Sequence, residues 1–186
     1  VEASSFDQLM LLTGHSTGPY AEKYQVLATR TGREEALSLR LFHEPGHNRE
    51  TFRSNLAGVL DQWATLDPHD NVVTLYDGGR EPQPWGATAH TDLTLATDGV
   101  EWETAEAVET TARLADGLAT LHQHGIVHGG IDPESVALDL DVGDERGRVA
   151  KLDDVGLLTV FRWYVDPSVC LDPRFAAPEY FDASFG

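Results

Sequence analysis

Cysteine, lysine and long apolar runs are what this 186-residue chain has least of. Its one cysteine, Cys170, excludes an internal disulfide framework and any zinc site built from cysteines, and it suits a reducing compartment. Lysine occurs only at Lys23 and Lys151, and 13 basic residues face 31 acidic ones for a formal charge of -18. A field of that sign repels DNA, RNA and anionic lipid, so no nucleic-acid partner is expected. No apolar run approaches the roughly 18 residues of a spanning helix, and no signal-peptide pattern opens the chain. A cytoplasmic protein with no membrane segment is therefore expected. The chain opens on Val1 and closes on Gly186, and it reads as a piece cut from a longer protein.

The acids are spread along the whole sequence rather than massed in one run. Two readings fit an acidic chain: a surface adapted to high salt, or a patch for a basic partner. The even spread favours the halophilic one.

Periodicity divides the chain in two. Residues 7–13 and 23–30 read as strands around a glycine-bearing turn at 14–19, and residues 35–42 as a third strand. Strand alternation puts Leu37, Leu39 and Leu41 on one face and Ala36, Ser38, Arg40 and Phe42 on the other. Residues 49–66 carry Phe52, Leu56, Val59 or Leu60, and Trp63 at helical spacing. Two more strands are read at 71–77 and 85–90. The pattern then changes to a long helix at 104–124, with Thr104 as its N-cap and Gly125 as its stop. Ala107, Thr111, Leu114, Leu118 and Leu121 form its apolar stripe. A hairpin follows, with strands at 136–140 and 148–152 joined by an acidic turn, and 153–186 reads mostly as loop. The expected organisation is residues 1–92 as one lobe and 93–186 as the second.

Chemistry concentrates in the second half. The run His128-Gly129-Gly130-Ile131-Asp132-Pro133-Glu134-Ser135 lies between the long helix and the hairpin. Asp154-Val155-Gly156 follows the hairpin, and Ala177-Pro178-Glu179 comes later. In this order and spacing the sequence resembles the eukaryotic-like protein kinase superfamily, from about residue 7 to residue 186. The stretch from Trp63 to Val73, the Gln83-Pro84-Trp85 run and the acidity look like haloarchaeal members. The resemblance implies an α+β, two-lobed protein kinase-like fold: a small antiparallel-sheet N-lobe with one helix, and part of a helical C-lobe.

It also implies positions, and several are degenerate. The base that would accept the substrate hydroxyl's proton falls on Gly130, which has no side chain. The lysine that steadies the γ-phosphate falls on Asp132, a reversal of charge. The metal-binding asparagine falls on Ser135, a weaker candidate Mg²⁺ ligand, while Asp154 keeps the chelating carboxylate. Val155 replaces a Phe and is expected to seat less firmly. The phosphate-gripping lysine falls on Arg40, or on Ser38 in the alternative register, and its helix Glu falls near Val59 or Asn55. Gly14 and Gly18 mark a two-glycine loop with Pro19, which lacks an N–H, so a hairpin turn is the plainer reading. Thr88 guards the nucleotide pocket, and Ala89, His90 and Thr91 form the hinge. Asp172 replaces a tying Thr and is expected near Asp132, where two acids repel unless a cation intervenes. His122, His124 and His128 suggest no metal site, Cys170 reads as a buried, idle thiol, and Trp63 and Trp85 read as packing residues.

Taken together, the sequence predicts a pseudokinase that works in signalling by nucleotide or protein binding, with ATP and Mg²⁺ as expected ligands and a protein partner. The alternative is an active, divergent serine/threonine kinase.

Overall fold

The computed structural model describes residues 6–96, 102–139 and 148–181. The chain falls into two compact units, one of residues 1–66 and 74–90 and the other of residues 67–73 and 91–186.

The first unit is a five-stranded sheet with one helix. Strands β1 (Gln8–Thr17), β2 (Ala21–Arg30) and β3 (Arg33–Phe42) form an antiparallel meander. Helix α1 (Arg49–Ala64) follows, then β4 (Leu75–Gly79) and β5 (Trp85–Ala89), in the order β1-β2-β3-β5-β4. Alternation in β3 sorts as its sequence requires. Leu37, Leu39 and Leu41 join Phe6, Val26, Ala28, Trp85 and Ala87 in one cluster, and Arg40 and Phe42 are buried on the opposite side. Helix α1 buries Phe52, Leu56, Leu60 and Trp63, so Leu60 rather than Val59 completes the stripe. Leu60 lies over Gly78, where an added Cβ would come within 3.3 Å of its Cδ1. Arg53 ties the loop before α1 to the β4–β5 turn, bonding Glu44 at 2.6 Å and Glu81 at 2.9 Å.

The second unit is built on α2 (Thr104–Gln123) and a small sheet of β6 (Leu93–Thr94), β7 (Val136–Asp139) and β8 (Val149–Leu152). Val136, Leu138 and Ala150 are its buried cluster, with Leu93, Leu95, Trp102 and Leu114 packed against it. Residues 71–73 lace onto β8: Leu152 N–H donates to the Asn71 carbonyl at 2.8 Å, and Val73 N–H to the Leu152 carbonyl at 2.9 Å. The strand expected at 71–77 is therefore divided. Its first residues bond to β8, and only the remainder enters the first unit's sheet as β4.

Other expectations shift at element ends. Glu103, not Thr104, holds the N-cap of α2, and Gly125 follows its C-cap in the left-handed region at φ 71°. Along α2 the fully buried positions are Gly117 and Leu121, whereas Thr111 and Val108 face outward. The segment after the hairpin is not mainly loop: α3 (Leu157–Phe161), α4 (Pro167–Cys170) and a 3₁₀ turn (Pro178–Tyr180) punctuate it. Asp166 caps α4 by accepting the Ser168 N–H at 2.9 Å, with Pro167 at the first helical position. That Asp-Pro-Ser signal was present in the sequence. The acidic turn expected at 141–147 lies outside the described residues.

Candidate functional site

In the first unit, β1 runs on to Thr17, so the turn expected at 14–19 is shorter and Gly14 lies within a strand. An added Cβ on Gly14 would sit 3.0 Å from Gln25 Cβ, which makes Gly14 a close-packing position. Gly18 is in the turn itself. Its N–H donates to the Ala21 carbonyl at 2.9 Å, and its carbonyl accepts from His43 Nε2 at 3.1 Å.

Arg40 and Ser38 project into different surroundings. Arg40, 2% exposed, donates from Nε to Thr88 Oγ1 at 3.3 Å and lies 5.6 Å above the Trp63 ring. The ring offers the guanidinium a favourable face. Ser38 belongs to a polar chain with Gln25 and His90. Gln25 Nε2 donates to His90 Nε2 at 3.1 Å, which leaves His90 Nδ1 to donate to Ser38 Oγ at 3.3 Å. Ala89 N–H donates to the Thr74 carbonyl at 2.9 Å.

In the second unit the loop after α2 is a network of backbone bonds. His128 is 2% exposed, and its Nε2 donates to the Asp153 carbonyl at 2.7 Å. Since that proton sits on Nε2, Nδ1 is an acceptor, and among the described residues it has no hydrogen-bond partner. Burial holds the imidazole below its usual pKa, against weaker upward pulls from the Asp153 carbonyl and the charges of Asp154, Asp153 and Asp132. Gly129 turns the chain in the left-handed region at φ 86° and leads to Gly130.

Asp132 caps the following turn. Its Oδ1 accepts the N–H groups of Glu134 at 3.0 Å and Ser135 at 2.9 Å. Ser135 Oγ accepts the Asp132 N–H at 2.9 Å and donates to the Asp132 carbonyl at 3.0 Å. The carboxylate at 132 is thereby a local turn-former.

Asp154 is 6% exposed at φ 54°, a left-handed conformation that Asp tolerates better than most residues. Its N–H is held by Asp153 Oδ1 at 2.8 Å. Val155 is fully buried. Burial, with help from the Asp154 charge, pushes the Cys170 thiol up to about 11, so it is idle at neutral pH as the sequence led one to expect.

A cavity of about 300 Å³ lies in this unit, lined by Gly129, Gly130, Asp132, Asp172, Phe175 and Tyr180 among others. Asp132 and Asp172 are thus brought to one cavity. Asp172 is partnered by Arg174, whose Nε reaches Asp172 Oδ2 at 2.9 Å and holds that carboxyl below its usual pKa. Tyr180, which sequence reasoning passed over, donates its hydroxyl to the Gly129 carbonyl at 3.3 Å. No motif marks such a residue; only the fold brings it there. Among the described residues no group of three or more His, Cys, Asp or Glu could hold a metal ion. No described helix is long and apolar enough to cross a membrane.

The architecture is that of the protein kinase fold: an antiparallel-sheet unit with one helix, and a second unit that matches part of the helical lobe. Crystal structures of the Mycobacterium tuberculosis PknI kinase domain superpose on the chain with a TM-score of 0.63 at 18% identity, covering 84% of this chain and 61% of that one. A second PknI kinase-domain structure gives a TM-score of 0.63 at 20% identity, over 84% and 62% of the two chains. A calcium and calcium/calmodulin-dependent serine/threonine-protein kinase of Lilium longiflorum is 30% identical over 115 residues, 57% of this chain and 21% of that protein. The chain therefore spans about a fifth of the lily protein and about three-fifths of the PknI domains. No family model matches the sequence.

Proposed function

We propose that this protein-kinase-like domain is impaired in phosphoryl transfer and acts in cytoplasmic signalling by binding nucleotide or a protein partner. The observation that carries this reading is Gly130, a residue without a side chain in a loop whose backbone is otherwise well held. The His128–Asp153 bond and the Asp132–Ser135 turn hold the backbone in place around it. A positioned base contributes about 10²–10⁴-fold to such a transfer. Asp132 is engaged in its own turn, where its Oδ1 accepts two backbone N–H groups.

The donor set for ATP with Mg²⁺ is thin. Asp154 offers a carboxylate suited to Mg²⁺, and Ser135 a hydroxyl already bonded at both ends to Asp132. Arg40 supplies a cation, with Gly14, Gly18, Ala89 and His90 as the remaining candidate contacts. When bound, Mg²⁺ would neutralise phosphate charge, and Asp154 is the residue of this chain that would hold it.

The test is a pair of measurements on the 186-residue chain. Thermal shift with millimolar ATP should rise with Mg²⁺, following RT ln(1 + [L]/Kd), and lose its metal dependence in Asp154→Asn. Labelled phosphate should enter neither the protein nor a basic acceptor protein in wild type, and the metal-dependent shift should be kept in Gly130→Asp. Transfer by wild type that Asp154→Ala abolishes would establish instead the second reading, an active divergent serine/threonine kinase, which the retained Asp154 carboxylate favours.

A further inference from the structure

We propose that the outer edge of β1 pairs with the same edge of a second copy of this chain, in a weak antiparallel association that strengthens with salt. The inference concerns the first unit alone and holds whether or not phosphoryl transfer survives.

Strand β1 lies at one end of the sheet and, among the described residues, pairs only with β2. Among the described residues no strand meets its outward N–H and C=O groups. Sheet edges are normally defended by charge, proline, bulges or short length. Gln8-Leu9-Met10-Leu11-Leu12 has neither a charge nor a proline, in a chain where 24% of residues are charged. The shift in register comes only after Leu11. The opposite edge is defended: β4 is five residues long, contains Asp77 and carries an irregularity between Leu75 and Asp77.

Met10 is 50% and Leu11 64% exposed, so the undefended stretch is also apolar. An uncharged strand has nothing with which to select a charged partner, but its side chains match their own copies. Residues directly opposite in an antiparallel pair share a face, so a self-pair must centre on a residue rather than between two. Centring on Met10 sets Met10 against Met10, Leu9 against Leu11, and Gln8 against Leu12. Every one of these pairs except the last is apolar on both sides.

Two copies of charge -18 repel, and a ladder this short buries far less than the roughly 1,200 Å² of a stable interface. The association is therefore transient, and screening favours it.

The experiment uses the 186-residue chain carrying Met10→Cys, in oxidised glutathione, which accepts the two electrons as two thiols join. Opposed residues of an antiparallel pair have Cα atoms about 4.5–5.5 Å apart, inside the range a disulfide spans. The native Cys170 is buried. Val108→Cys, at a position 64% exposed on α2, measures random collision. The expected result is a disulfide-linked dimer of Met10→Cys in about tenfold excess over Val108→Cys, because pairing raises the effective thiol concentration. Sedimentation of wild type should show a dimer fraction that grows from about 0.1 to about 2 M salt and vanishes in Met10→Lys. Equal cross-linking of the two cysteine variants, or an undiminished dimer in Met10→Lys, overturns the proposal.

Discussion

A buried imidazole with one nitrogen bonded and the other bare makes His128 a point of acid sensitivity. Its folded pKa lies below the unfolded value of about 6.5, so below that pH the unfolded chain binds a proton that the folded chain refuses. Stability from this group is complete above about pH 6.5 and falls as pH drops toward the folded pKa. His128→Gln removes the titration and leaves an amide able to donate to the Asp153 carbonyl. The melting temperature of wild type should decline between pH 7.5 and pH 5.5 more steeply than that of the variant; parallel curves would refute the assignment. The place of His128 before the Gly-Gly pair was legible, because it is a matter of order along the chain. The same is true of Gly130. The work of Asp132 was not legible in this way. As a letter it is a reversed charge, but as a side chain it closes a turn around Ser135, because the fold delivers two N–H groups to one oxygen.

Helix α2 was visible from its apolar spacing, yet one close contact is made by a residue with no side chain. Gly117 lies against residue 71, and an added Cβ would stand 2.9 Å from the Asn71 carbonyl oxygen. Two effects compete in Gly117→Ala. Helix propensity favours alanine by about 1 kcal/mol. Against it, the carbonyl at Asn71 cannot swing aside, because it accepts the Leu152 N–H at 2.8 Å and so ties that segment to β8. Overpacking against such fixed backbone costs about 1–3 kcal/mol, so the substitution is expected to destabilise by about 1 kcal/mol net. Chemical denaturation decides it: a midpoint that rises would mean the backbone yields. Periodicity alone could not find this contact, since it pairs residues 46 apart and the partner is a carbonyl rather than a side chain. Strand β3 was more transparent, because alternation sorted its leucines from Arg40 and Phe42. What alternation could not supply was the Trp63 ring beneath Arg40, a neighbour set by the packing of α1.

At the scale of the whole molecule the charge of -18 is the dominant fact, and it acts against compactness. The chain's 13 basic residues cannot neutralise 31 acidic ones, and some of the pairs they make lie at the surface: the side chain of Glu81 is 75% exposed in its bond to Arg53, and that of Asp116 78% exposed beside His69. Exposed pairs of this kind contribute little, so the bulk of the acidic surface is unneutralised repulsion. Added salt should therefore stabilise the fold by screening. The Debye length is about 10 Å at 0.1 M and about 3 Å at 1 M, so pure screening gains most of its effect below about 1 M and then levels off. Salting-out of apolar surface behaves differently, continuing to rise with concentration and with the kosmotropic character of the anion. Melting temperatures measured in chloride and in sulfate at matched ionic strength separate the two. For a chain of this size a gain of about 2 kcal/mol corresponds to roughly 4–8 °C. The expected outcome is a rise of about that size by 1 M in either salt, with the two curves together at low ionic strength and parting only above it. A melting temperature indifferent to chloride up to 1 M would mean that the acids are too widely spaced to repel, and the high-salt reading of the composition would fall with it.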